Sequence, residues 1–127
     1  MKVGIKNQIK KTVSNALTAK AMGSGRLDVF ATPAMVAMME EAAHTSVEAE
    51  LEEGQGTVGT SMTVSHLAAT PVGMEVTCES ELIEVDGRKL VFDIKAMDEA
   101  GLIGEAKHER FIIDSEKFLA KTNAKLK

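Results

Sequence analysis

Thr32, Glu40 and His66 are three residues that by type and setting could take part in a reaction. Thr32 is followed by Pro33 and a run of helix formers, which sets its hydroxyl at the start of a helix. Free N–H groups and the positive end of the helix dipole favour a carbonyl oxygen that takes on charge there. Thr32 could attack, hold a water, or serve only as the N-cap that its side-chain oxygen suits it for. Glu40 lies eight residues on, with Val36, Ala37, Ala43 and His44 three and four positions away. Three of those four are apolar, which predicts a part-buried carboxylate suited to base work. His66 precedes the Thr70-Pro71 turn, and an imidazole changes charge near neutral pH. A polarised carbonyl, an attacking oxygen and a group that moves protons are the parts that acyl transfer needs. Each residue also has a plainer reading, as a helix cap, a solvated helical carboxylate and a hydrogen-bonded structural histidine.

Two further groupings carry charge. His44 stands four residues after Glu40, but a second carboxylate–histidine pair is lacking, so no metal site is expected. His108-Glu109-Arg110 falls in a strand-like stretch, where alternation turns His108 and Arg110 to one face and Glu109 to the other. Arg110 there could steady an anionic group or pair with an acid of the helix.

The elements that must position these residues follow from pattern. Ile5, Ile9 and Val13 suggest an edge strand over residues 3–13, and the small and polar residues 14–28 read as loop with a short helical turn. Thr32 is expected to cap a long helix that continues from Ala34 to Leu51 without Gly or Pro. Its buried face would be Met35, Met38, Met39, Ala42, Ala43 and Ser46, and Gly54 and Gly56 would end it. Strands are predicted over 57–65, 74–85, 88–97 and 102–113, with Asp86-Gly87 as a hairpin turn and 98–101 as a second turn. Residues 115–127 read as a short helix or a frayed end. Strand, loop, long helix and a four-strand meander make an α+β layer arrangement within one domain, 1–127. One long helix wrapped by a five-stranded antiparallel sheet is the hotdog pattern. Its uncovered edges and helix flank predict a homodimer.

Composition narrows the classes. A chain of 127 residues with no Trp or Tyr, four Phe and eight Met must build an aliphatic core, and methionines suit floppy apolar ligands as well as core gaps. A net charge of −4 argues against nucleic acid as a partner. Residues 1–27 nevertheless hold six basic residues and no acid, a patch that could meet a phosphate or simply be solvated. One cysteine, Cys78, permits no intrachain disulfide and points to the cytoplasm. The amino-terminal residues lack the apolar run of a signal peptide, and Val29–Met39 is too short to cross a membrane.

Several runs together are specific. Gly25-Arg-Leu-Asp-Val-Phe-Ala-Thr32-Pro33-Ala-Met-Val-Ala-Met-Met-Glu40 resembles the fluoroacetyl-CoA thioesterase-like branch of the hotdog superfamily. So do Val58-Gly59-Thr60, Ser65-His66-Leu-Ala-Ala-Thr-Pro71-Val-Gly73, Glu84-Val-Asp-Gly-Arg-Lys-Leu90, Gly104 and His108-Glu109-Arg110. The likeness spans about residues 25–118. It implies hydrolysis of a small or medium acyl-CoA thioester to free acid and CoA, with no metal or organic cofactor. It also implies a catalytic set of Thr32, Glu40 and His66. Gly59 would place its N–H near the thioester oxygen, the N–H groups after Pro33 would help hold the oxyanion, and Arg110 would lie near the site. The loop from Ala16 to Arg26 has no aromatic residue, unlike the namesake enzyme, so the resemblance does not extend to selectivity for fluoroacetyl-CoA. On this reading Lys6, Lys10 or Lys11 would attract the CoA phosphates. A hotdog hydratase or dehydratase and a non-catalytic acyl-CoA sensor are the alternatives, separated from a thioesterase by assays of water addition and of turnover.

Overall fold

Helix α2 (Thr32–Ser46) lies against one face of a five-stranded antiparallel sheet in the computed structural model, which describes residues 1–126. The strands are β1 (Lys6–Thr12), β2 (Gln55–His66), β3 (Glu75–Asp86), β4 (Lys89–Asp98) and β5 (Gly101–Asp114). Short helix α1 (Ala19–Met22) precedes α2, and α3 (Ser115–Asn123) follows β5. Ala34, Met35, Met38, Met39, Ala42 and Ala43 form the buried stripe of α2. They share one core with Val76, Cys78 and Leu82 of β3, Leu90, Phe92 and Ile94 of β4, and Ile103 and Ala106 of β5. Each large side chain fully buried there contributes about 1.5–3 kcal/mol. The α+β hotdog architecture expected from the sequence is present, with β1 as an edge strand.

The sheet order is β1-β3-β4-β5-β2, so the expected four-strand meander is only a three-strand one. β2 does not pair with β3. It runs along β5, from Gln55 opposite Asp114 to His66 opposite Gly104, with a bulge between Gly59 and Ser61. Inserting β1 beside β3 leaves β2 the far edge, and its 12 residues have no strand on their outer side.

The helix also departs from expectation at both ends. Ala31 is the N-cap, with extended dihedrals, and Thr32 is already helical. The Thr32 hydroxyl is engaged elsewhere, so it caps nothing. The helix stops at Ser46, not Leu51, and Glu48–Glu50 form a 3₁₀ turn. Thr45 donates to the Glu41 carbonyl and Ser46 to that of Ala43, bonds that compete with the helical ladder. Glu48 and Glu50 would moreover face the negative end of the dipole.

Packing is tight where α2 crosses the end of β5. A Cβ on Gly104 would lie 2.7 Å from the sulfur of Met35, which is fully buried, and 3.1 Å from the Ser65 carbonyl oxygen. Gly104→Ala is therefore expected to cost about 1–3 kcal/mol of stability. Denaturant unfolding checks this, and an unchanged midpoint would show that Met35 yields freely. Cys78 is buried between sheet and helix, and burial pushes its thiol up to about 12. No helix among the described residues is long and apolar enough to cross a membrane.

Candidate active site

The three residues singled out for chemistry fall into two places. At the start of α2, the Thr32 Oγ1 lies 2.7 Å from Nδ1 of His66, the last residue of β2. The contact forms because His66 ends an edge strand beside the first turn of the helix. Burial lowers the His66 pKa, and a backbone contact with Ala68 opposes the shift. The imidazole is thus held neutral near pH 7, and a neutral Nδ1 can accept the Thr32 proton. In that tautomer Nε2 carries the hydrogen. Nε2 is buried and has no hydrogen-bond partner among the described residues. Such a donor costs about 1–3 kcal/mol until an acceptor reaches it. The pair opens on a cleft of about 320 Å³ lined by Ala19, Ser24, Val29, Phe30, Ala68 and Ala69.

Glu40 belongs to the second place. Its side chain is 42% exposed, and its Oε2 lies 3.6 Å from Nη1 of Arg110. Of the two roles open to Arg110, pairing with a helix acid is the one seen. Arg110 is buried and fully engaged, donating from Nε to the Thr57 hydroxyl and from Nη2 to the Thr57 carbonyl, both at 2.9 Å. Burial works against its charge and the Glu40 carboxylate supports it. His108 shares this face, as alternation predicted, with Nε2 3.1 Å from Arg110 Nη1. Gly59 lies across from Arg110 in the β2–β5 register. A Cβ there would stand 3.0 Å from Glu40 Oε2 and 3.3 Å from Arg110 Nη1, so the carboxylate approaches the strand because Gly59 has no side chain.

The two places do not meet within one chain. Thr32 and Glu40 are eight helical positions apart, about 12 Å along the axis. Gly59 and His66 are seven strand positions apart, about 20 Å along β2. Pro33 is exposed on the first turn, next to Ala34, whose N–H belongs to the donors that a helix start leaves without intrahelical acceptors. His44 bonds to Glu48 at 3.2 Å and does not join Glu40. The amino-terminal lysines also lie apart from the cleft. Lys11 pairs with Glu41 at 3.0 Å, while Lys6 and Lys10 lie on the sheet face opposite the one that carries Asn7 to the helix. Sequence reasoning missed Thr57 as a partner of Arg110 and Ala19 and Ser24 as cleft residues. The strand register could have found the first, and nothing local signals the others.

Comparison with known proteins bears on this arrangement. The sequence model of a family described as fluoroacetyl-CoA-specific thioesterase matches residues 13–116. A fluoroacetyl-CoA thioesterase from Streptantibioticus cattleyicolor is 45% identical over 98 residues, covering 77% of this chain and 70% of that protein. A variant of the fluoroacetyl-CoA thioesterase solved in complex with acetyl-CoA is 36% identical, superimposes with a TM-score of 0.95 and covers all of both chains. A hot-dog-like protein from Thermanaerovibrio acidaminovorans, 24% identical over 98% of this chain and 93% of its own, shares the fold with a TM-score of 0.89.

Proposed function

Because the chain belongs to the fluoroacetyl-CoA-specific thioesterase family, it is an acyl-CoA thioesterase, and we propose that it works as a homodimer whose sites are each shared between two protomers. Thr32 and His66 of one protomer and Glu40 of the other make one catalytic set. The observation that carries this reading is the separation of the Thr32–His66 pair, 2.7 Å apart, from a Glu40 held by Arg110 at the other end of β2. Pairing two β2 edges antiparallel about a two-fold axis near Met62 would bring Gly59 of one protomer opposite His66 of the partner subunit. Glu40, Gly59 and Arg110 would then arrive together beside the Thr32–His66 pair. The buried Nε2–H of His66 would gain a carboxylate acceptor. The same pairing would occupy the open backbone groups of a 12-residue edge.

In this site the thioester carbonyl oxygen is held by the N–H of Ala34, the first after Pro33, and by that of Gly59. His66 takes the proton from the attacking oxygen, whether that belongs to Thr32 or to a water at its hydroxyl. The carbon–sulfur bond breaks and CoA leaves as the thiol with that proton; where water attacks, the free acid forms at once, and where Thr32 attacks, a water then cleaves the Thr32 ester, restoring the hydroxyl and releasing the free acid. No metal or organic cofactor takes part. The small residues Ala19, Ser24, Ala68 and Ala69 around the cleft support small to medium acyl groups. A buried, unpaired cysteine supports a reducing, cytoplasmic setting. Free-thiol detection across a panel of acyl-CoA esters tests the reading, and absence of thiol release from every member overturns it.

The acid limb of the pH profile follows from His66. Only neutral imidazole can accept the proton, and burial lowers its pKa. In the shared site the partner's Glu40 carboxylate on Nε2–H opposes that shift by favouring the imidazolium, so Glu40→Gln should move the acid limb of kcat/KM to lower pH. An acid limb that stays in place in Glu40→Gln would contradict a carboxylate held on His66.

A further inference from the structure

The buried face of β5 contains a histidine that the hydrolysis does not use. His108 is 1% exposed. Its Nδ1 lies 2.8 Å from the Ser61 carbonyl, so Nδ1 carries the hydrogen and donates it. That fixes Nε2 as an acceptor, and it receives the Nη1–H of Arg110 at 3.1 Å. The same Nη1 faces Glu40 Oε2 at 3.6 Å. A protonated His108 could not accept from Arg110 and would set two cations side by side. Burial, the largest influence, lowers its pKa and keeps it neutral; the Ser61 carbonyl opposes this, Arg110 adds a smaller lowering and Glu40 a still smaller rise. The ring is also held against Phe92, with centroids 6.3 Å apart.

We infer that His108 is a positioning residue for Glu40, acting through Arg110. Resting on the reading of Glu40 as catalytic, this assigns the cluster a purpose beyond packing. Arg110 has one donor edge held by Thr57 and another by His108, so its guanidinium has a single orientation. Glu40 is a part-exposed helical side chain with several rotamers open to it. A fixed guanidinium, with Gly59 leaving the room beside it, limits the carboxylate to one place. Ser61 can offer its carbonyl because the bulge at Thr60 re-aims the strand at that point.

Two variants separate positioning from packing. His108→Gln can present an amide oxygen where Nε2 stands and so keep the bond to Arg110. His108→Asn is shorter, keeps a donor for Ser61 and loses the acceptor for Arg110. The expected result is a kcat lower by about 10-fold in His108→Asn at nearly unchanged KM, as for a misplaced catalytic group, with His108→Gln close to the parent. In a Glu40→Gln background, where the charge to be placed is gone, His108→Asn should add little further loss. Equal losses in the Asn and Gln variants, or a full additional loss in the Glu40→Gln background, would overturn the inference and leave His108 a packing residue. Full activity of Glu40→Gln by itself would instead overturn the role of Glu40, so the two failures are distinguishable.

Discussion

His66→Ala, Thr32→Ala and Glu40→Ala are each expected to lower kcat by about 10²-fold or more, as when an acid–base group is removed. His66→Ala removes the acceptor 2.7 Å from the Thr32 hydroxyl, and Thr32→Ala removes the hydroxyl itself. Neither touches the core around α2, since Thr32 is exposed and His66 only half-buried. Thr32→Ser keeps the oxygen and should recover a large part of the rate. Glu40→Ala leaves Arg110 without its carboxylate but still bonded to Thr57 and His108, so the fold should hold. Thiol-release kinetics, with circular dichroism to confirm folding, measure all of these. Full activity in both Glu40→Ala and His66→Ala would reject the mechanism.

Mixing two inactive proteins should restore activity. Thr32→Ala retains Glu40, and Glu40→Ala retains Thr32. In a hybrid dimer, one of the two shared sites receives both intact residues, while the other receives neither. After random exchange half of the dimers are hybrid, so about one quarter of the parent activity should return. Recovery on that scale far exceeds the residual rate of either variant alone. The geometry within one chain is what makes the result informative, because the 2.7 Å Thr32–His66 contact and the Glu40–Arg110 pair lie at opposite ends of β2. No recovery, with exchange confirmed by mass, would place the whole set in one protomer.

What the sequence disclosed and what it hid follow from how far each feature reaches along the chain. Thr32-Pro33 marked the start of α2 to within one position, and Asp86-Gly87 marked the β3–β4 turn, because both depend on local backbone preference. Alternation puts His108 and Arg110 on one face for the same reason, and the structure shows that face to be the buried one. The end of α2 is not legible in composition, because Thr45 and Ser46 bond back to carbonyls only when turned that way. The neighbour of β2 is β5 and not the adjacent β3, and nothing within 55–66 distinguishes the two as partners. The role of Arg110 stayed open in the sequence, since its choice of Glu40 depends on that same pairing. The resemblance supplied the catalytic set, while the structure supplied its division into two halves.

The sheet order has a consequence for how the enzyme comes together in time. β3, β4 and β5 are joined by short turns and can pair early at little entropic cost. β1 must find β3 across some 70 residues, as the Gln8–Glu79 contact illustrates, and β2 must find β5 across about 50. The strand that delivers His66 and Gly59 is therefore a late arrival on a preformed meander. The enzyme acquires its chemistry after its core, because His66 and Gly59 reach their places only once β5 is there to pair with β2.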